Sequence, residues 1–574
     1  MRPGIMRPPN LRSAAVTLSP ESAVDAVVAR IKANADRWVA VSISERVLYL
    51  ERCMEALATV APAWAAATAR NRGLDPSGED TGEAWLSELM PTMRSLRLLA
   101  VALRAGGQPP PPLVATRAGD QKVVRVYPTD LMDKLLFTGV TADVWIQPGM
   151  PASQGQLYRD KAAGRTKKGA VSLVLGAGNV GSICPTDAIY KLFVEDEVVV
   201  VKTNPVNAYL TPYWEACLKP LVDDGFIAFV DGGPEVGVAL TEHPDIESIH
   251  ITGSDKTYDA IVWGTGPDVA ARKAAGQKRN SRPVSAELGC ITPVIVVPGQ
   301  WSKKELAYQA KAVAIMVTNN ASFNCTAGKV LITHAGWPQR QEFLDALRAA
   351  FRGSPRRKAY YPGSFERYDR FLAAYPSAEV VGVREDGCVP WTLIPGLSAD
   401  AAGEVAFQQE AWCGVLADTA LGASDAGDFM RKATTFANER LWGTLSANII
   451  VDPRTRKSFS SAYDSMLADL QYGGIAVNIW SGAIFGLASP PWGAYPGHTA
   501  ADIQSGAGTV HNTYLLDHPQ KTVLEAPFTI FPPPAWFDGH RGAREVGERM
   551  VAMEGRRSWT ALPGLVRHAL RGGS

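Results

Sequence analysis

Cys325 stands where a thiol could do chemistry. In the run Asn319-Asn320-Ala321-Ser322-Phe323-Asn324-Cys325-Thr326-Ala327-Gly328-Lys329, a helical approach with a single charge, Lys311, ends on one cysteine. Small residues then lead into the apolar Val330-Leu331-Ile332. At such a junction, backbone N–H groups without helical partners can point at a sulfur and stabilise its thiolate, the nucleophilic form. The competing reading is a small buried hydrophobe, the usual fate of a free cysteine. Other polar candidates are spread along the chain. Asn179 lies in a turn, Lys202 ends an apolar strand, and Gly232-Gly233 with Gly237 form a loose glycine set. Thr252-Gly253-Ser254 closes another strand, and Glu287 precedes a buried strand, where an unpaired carboxylate would be costly.

The elements that must position these residues are legible from periodicity. From about Pro20 to Ala105 apolar residues recur at three- and four-residue spacing, which predicts helices, with Ser42 or Ser44 as a cap. The proline run Pro109–Pro112 ends this region. Shorter β-like runs follow to about Gln156, a ribbon expected to reach toward another subunit. From Lys168 strands and helices alternate, with Pro185 near a helix start, and the alternation resumes after Glu287. Such repetition predicts doubly wound parallel sheets, whose ligands bind at the carboxyl ends of the strands.

Composition sets the limits. A chain of 574 residues calls for two or three domains. With 58 Lys+Arg against 57 Asp+Glu, the formal charge of +1 gives no footprint for nucleic acid or an anionic membrane. Seven scattered cysteines without a C-x-x-C pair argue against a disulfide framework or a zinc site, and fit a reducing compartment such as the cytoplasm. The uncharged stretch Leu470–Ala501 is broken by Gly473-Gly474, Pro490-Pro491 and Pro496-Gly497, and reads as buried loop, not a membrane span. The first twenty residues carry Arg2, Arg7 and Arg12 without an apolar core behind them, which is no secretory signal.

Taken together, six elements stand in the order of the aldehyde dehydrogenase superfamily, which the chain resembles from about residue 20 to 525. They are the Asn179 turn, Lys202-Thr203-Asn204-Pro205, Thr252-Gly253-Ser254 with Glu287-Leu288-Gly289, Asn319 to Cys325, Glu410 with Trp412, and the segment ending in Asn478. The resemblance implies an α/β fold of two Rossmann-like lobes, one cofactor-binding and one catalytic, with a protruding β oligomerisation ribbon. It divides the chain into a flexible N-terminus (1–19), an NAD(P)-binding domain (20–290, ribbon about 114–165), a catalytic domain (291–495), a return to the cofactor domain with an oligomerisation strand (496–537), and a C-terminal extension (538–574).

The same resemblance implies roles. Cys325 is the nucleophile, Asn179 and the Cys325 backbone N–H are oxyanion donors, and Glu287 is the general base that delivers water. Lys202 holds the adenosine ribose, and Gly233 and Gly237 belong to the cofactor turn. Thr252, Gly253 and Ser254 receive the pyrophosphate at a helix N-terminus, Glu410 fixes the nicotinamide ribose, and Trp412 lies against the ring. The implied reaction is NAD- or NADP-dependent oxidation of a small-molecule aldehyde to the acid. Trp442, Trp480, Trp492 and Tyr495 suggest a bulky hydrophobic or aromatic substrate. A homodimer or homotetramer is expected. A CoA-acylating dehydrogenase and a non-catalytic scaffold are the alternatives.

The chain also departs from the family pattern. Tyr258 replaces a glycine four residues after Ser254, and its ring is expected to crowd the pyrophosphate. The connection through Gly264-Thr265-Gly266 is longer than usual. Cys290 follows Gly289, close enough in sequence to suggest a second thiol near the site. Phe323 is expected to alter the pocket floor. Pro205 replaces an acid near the ribose lysine, which keeps NADP open beside NAD.

Overall fold

The computed structural model describes residues 20–384 and 387–573; the expected flexible N-terminus, 1–19, lies outside them. In chain order the strands are β1 (Leu113–Thr116), β2 (Lys122–Tyr127), β3 (Thr141–Ile146), β4 (Ala170–Leu175), β5 (Glu197–Lys202), β6 (Ile227–Val230), β7 (Ser248–Gly253), β8 (Val284–Leu288), β9 (Thr292–Val296) and β10 (Gly328–His334). Then follow β11 (Glu379–Val381), β12 (Trp391–Leu397), β13 (Val415–Leu421), β14 (Ser446–Ile450), β15 (Gly474–Val477), β16 (Pro491–Trp492), β17 (Gly506–Ala507), β18 (Val510–His511) and β19 (Pro519–Glu525).

They build two large sheets. The smaller has the order β17-β8-β7-β4-β5-β6 and is parallel except for β17. The chain winds outward from β4 through β5 to β6, then returns to β7 on the other side of β4. This reversal opens a crevice beyond the carboxyl ends of β4 and β7, where α/β sheets take their ligands. The Val198–Val201 run of β5 is buried on both faces, as a covered parallel strand requires.

The larger sheet runs β1-β2-β3-β19-β15-β14-β9-β10-β13-β12-β11. Its centre is parallel, and alternate residues serve different cores: Ile295, Val330 and Ile332 face one, Val294, Val296 and Leu331 the other. The ribbon β1–β3 is antiparallel and joins this sheet by pairing β3 with β19 of the same chain, leaving exposed β1 at the free edge.

Capping explains where the key helices begin. Ser42 and Glu45 form a reciprocal capping box at the start of Ile43–Asn71, which makes Ser42 the cap. Ser302 and Glu305 do the same for Lys303–Thr318, the helix that delivers the chain to Cys325. The helix Ala543–Arg556 of the C-terminal extension docks on Met90–Arg104. There Glu554 accepts hydrogen bonds from Arg94 Nη1 and Arg97 Nε, each at 2.7 Å, while Arg94 also pairs with Asp133 at 2.6 Å. Among the described residues no helix is long and apolar enough to cross a membrane.

Candidate active site

A cleft of about 1460 Å³ opens beyond the carboxyl ends of β4 and β7 and reaches Cys325. Asn179, Lys202, Gly237, Thr252, Gly253, Ser254, Glu287, Cys325, Glu410 and Trp412 all line it. Gly233 does not. It sits one residue outside the lining Pro234, at the start of the helix Pro234–Glu242, where its N–H donates to Glu235. The loose glycine set therefore contributes through Gly237, not Gly233.

The approach to the cysteine is strained. Asn320, Ala321 and Ser322 have φ of 51°, 54° and 69°, three successive non-glycine residues in the left-handed region. Each costs on the order of 1–2 kcal/mol, so other contacts must hold them. Asn320 Nδ2 donates to the carbonyls of Asn179 at 3.0 Å and Phe323 at 3.2 Å. Asn324 Nδ2 donates to Asn319 O at 3.1 Å, and buried Lys329 Nζ donates to Ser322 Oγ at 3.1 Å. The strain turns the chain so that Cys325 meets the cleft floor.

There the Cys325 thiol donates to Glu287 Oε1 at 3.5 Å. Glu287 is 2% exposed, and burial, helped by the charge of Asp187, pushes its carboxyl up to about 8. The Trp492 indole and the Cys325 thiol oppose that shift, yet the Trp492 N–H falls outside hydrogen-bond geometry, and Glu287 Oε2 has no partner. Burial also raises the Cys325 thiol well above its ordinary value, and the charges of Glu287 and Glu410 add to it. Thiol and carboxyl form one coupled proton pair.

Asn179 is buried beside them. One N–H of its amide donates to Phe323 O at 3.0 Å, which leaves the second for the cleft. Its backbone carbonyl accepts from Asn320, from Tyr360 Oη at 3.0 Å and from Arg72 Nη2 at 3.3 Å. Arg72 is itself gripped by Glu83 and Glu88, at 2.9 and 2.5 Å. The charged cluster from the N-terminal helices thus fixes the turn that presents the amide.

The outer cleft suits an anionic, ring-bearing ligand. Lys202 ends β5 with its ammonium largely buried; burial lowers its pKa, while Glu235 and Asp231 oppose the shift. Ser254 caps the helix Asp255–Trp263, its hydroxyl accepting from Thr257 N at 3.2 Å. Glu410 is pushed up to about 7 by burial against the pull of Lys329 and Arg367, and its Oε1 has no partner. A Cβ on Gly289 would lie 2.2 Å from Glu410 Oε2, so this glycine makes room for that carboxylate. Arg367, on the helix Ser364–Ala374, brings Nε and Nη2 to the same region without partners. Tyr361 and Trp412 meet edge to face at 5.6 Å. Unfilled donors, an unfilled carboxylate oxygen and aromatic rings fit a phosphate-bearing dinucleotide.

Several expectations are corrected. The Tyr258 ring is 3% exposed and packs with Ile251, Val262, Trp263 and Ile503, so it does not crowd the cleft. Phe323 is fully packed beneath the lining, against Tyr360, Tyr361 and Trp412. Cys290 does not line the cleft, its thiol being buried on Ser446 O at 3.8 Å, yet it lies near enough to the site to act on the Cys325 thiol. Of the four rings read as substrate contacts only Trp442 lines this cleft. Trp492 is core, Tyr495 Oη accepts from Gln520, and Trp480 donates to Thr326 O, next to the nucleophile, at 2.9 Å. Arg72, Tyr360 and Arg367 went unread in the sequence. Only the three-residue spacing of Arg367 and Arg370, which puts both on one helix face, was there to find. No group of three or more potential metal ligands occurs among the described residues.

The pattern of the aldehyde dehydrogenase family matches residues 179–360. Aldehyde dehydrogenase 1 of Tanacetum cinerariifolium is 31% identical over 193 residues, covering 31% of this chain and 36% of the relative. A putative aldehyde dehydrogenase of Staphylococcus haemolyticus is 30% identical over 164 residues, 27% of this chain and 30% of its own. These alignments span about a third of the relatives' length. The fold extends further. Substrate-bound AldH of Staphylococcus aureus superposes with a TM-score of 0.59 over 91% of this chain and 98% of its own, at 16% identity. NADP-dependent glyceraldehyde-3-phosphate dehydrogenase of Bacillus halodurans, complexed with NADP, gives 0.58 over 88% of this chain and 91% of its own, at 15% identity.

Proposed function

We propose that this chain, similar to the aldehyde dehydrogenase family over residues 179–360, is an aldehyde dehydrogenase that oxidises an aldehyde to the carboxylic acid with NAD or NADP as acceptor. The observation that carries this reading is the contact of Cys325 Sγ with Glu287 Oε1 at the floor of a cleft that Asn179 also lines. A nicotinamide bound in the cleft would supply the hydride acceptor. Lys202 would hold the adenosine ribose, the Ser254 helix end and Arg367 the phosphates, and Glu410 the second ribose. Glu287 takes the thiol proton, and Cys325 adds to the carbonyl carbon. Asn179 and the Cys325 N–H hold the resulting oxygen anion. Loss of hydride from that adduct leaves a thioester on Cys325. Glu287, having released the thiol proton, then takes one from water, whose oxygen attacks the thioester and releases the acid and the thiolate.

A buried carboxylate beside the thiol favours hydrolysis over transfer to CoA. Trp442, with Trp480 behind the nucleophile, supports an apolar or aromatic aldehyde. Pro205 keeps a 2′-phosphate acceptable near Lys202, while Glu235 and Asp231 bring negative charge there, so both cofactors stand. The free thiols fit a reducing, cytoplasmic setting. The test is NAD(P)H formation with short, long-chain and aromatic aldehydes, with the product identified with and without CoA. No acid product with any of them overturns the proposal.

Two further results are expected. Asn179→Ala should lower kcat/KM about 10²–10³-fold, roughly 3–4 kcal/mol, with the cofactor Kd unchanged in a fluorescence titration. Activity should rise with pH through about 8, because Glu287 accepts a proton only as carboxylate and is held neutral below that value. A kcat/KM profile shows this limb, which belongs to the Cys325–Glu287 pair.

A further inference from the structure

Thioester hydrolysis leaves one proton on Glu287 in every cycle, and that side chain is 2% exposed. The proton must leave before the carboxylate can act again. This argument rests on the proposed function, but the residues in question lie behind the site, not in it.

On β7 and β8, His250 lies beside Ser285 and Thr252 beside Glu287, alternate positions that put all four side chains on one face of the sheet. Asp187, from the helix Ile183–Phe193, lies over them with no exposed surface to speak of. Asp187 Oδ1 and Glu287 Oε2 are both buried without hydrogen-bond partners, and the charge of Asp187 raises the proton affinity of Glu287. Asp187 Oδ2 accepts from Thr252 Oγ1 at 2.9 Å and lies 3.4 Å from His250 Nε2. His250 Nδ1 meets Ser285 Oγ at 2.9 Å, and Ser285 is half-buried, at the edge of solvent. The row has a buried end at the catalytic carboxyl and a wet end at a serine.

We infer that Asp187, His250 and Ser285 form a proton exit from Glu287. Protonated Glu287 gives its proton to the Asp187 carboxylate by way of one water, since no hydrogen bond joins the two carboxyl groups directly, and protonated Asp187 gives it to His250 Nε2. His250 releases the proton bound at Nδ1 to Ser285 and the solvent beyond, so each transfer breaks one N–H or O–H bond and makes one. Thr252 orients Asp187. Among the described residues Asp187 is also faced by Cys184, whose thiol is pushed up by burial and by Asp187 and so stays protonated, and by His511, whose ring nitrogens are both buried without partners. Burial lowers His511 to about 4, so it stays neutral and does not trap the proton. These are relay residues acting through Glu287, and none touches the substrate.

The experiment follows hydride and proton separately. NAD(P)H absorbance and a pH-indicator dye are recorded together after rapid mixing of enzyme, cofactor and the best aldehyde, in H₂O and D₂O. His250→Asn is expected to leave the first-turnover NAD(P)H burst intact and to delay dye protonation behind it. The steady-state rate should fall about tenfold or more, with a larger solvent isotope effect. Ser285→Ala, a mild change at the wet end, should shift the isotope effect in the same direction and stands in if His250→Asn does not fold. An unchanged steady rate and isotope effect in the folded variants overturns the relay, as does a burst lost in proportion to the steady rate. Absence of NAD(P)H from the unaltered protein with every aldehyde overturns the functional reading itself, a different and recognisable failure.

Discussion

Cys325→Ala is expected to remove aldehyde-dependent NAD(P)H formation by at least about 10⁴-fold while leaving cofactor binding in place. A free carbonyl carries its hydrogen on an electrophilic carbon and does not give it up as hydride; the sulfur adduct does. The six other cysteines among the described residues offer no substitute. Cys53, Cys184, Cys217, Cys290 and Cys413 are buried, and Cys388 lies in the segment before β12, outside the cleft. Cofactor binding should survive because Lys202, Ser254, Arg367 and Glu410 stand on separate elements. Titration calorimetry with NAD and NADP, beside a stopped-flow assay, checks both halves. Residual turnover within tenfold of the parent would remove Cys325 from the chemistry.

Glu287→Gln should give a different failure. The amide is nearly isosteric and keeps a group beside the thiol, but it cannot take a proton from water. The expected outcome is up to one NAD(P)H per active site, formed more slowly because the amide cannot take the thiol proton either, followed by a stall with the steady rate down about 10²–10⁴-fold. Intact-mass measurement should find the acyl group on Cys325, and the rise of activity through about pH 8 should vanish. If CoA relieves the stall and acyl-CoA accumulates, the protein is a CoA-acylating dehydrogenase and Glu287 serves only the thiol.

Much of the fold was legible because its signals are local. Val198–Val201 could only be a covered strand, and Ser42 with Glu45, like Ser302 with Glu305, announces a helix start. The nucleophile and its companions were legible for another reason: Asn179, Lys202, Glu287 and Cys325 each close a strand or turn, and such ends converge in a doubly wound sheet. What stayed hidden depends on side-chain direction. Nothing in the sequence says that Tyr258 turns inward, since a helix residue one position away would face the cleft. Nor does it say that Trp492 is core while Trp442 is lining. The support from Arg72 and Tyr360 comes from helices and loops more than a hundred residues from the turn they hold, with no pattern to connect them. Strain at Asn320–Ser322 was equally unreadable, because no glycine marks it.

The pairing of Arg97 with Glu554 spans 457 residues of chain. During synthesis the guanidinium leaves the ribosome long before its carboxylate exists, and a charge pressed into an apolar lobe without its counter-ion costs several kcal/mol. The helix Met90–Arg104 therefore gains its full packing only once Glu554 is in place. In this molecule the helix Ala543–Arg556 acts as the latch on Met90–Arg104.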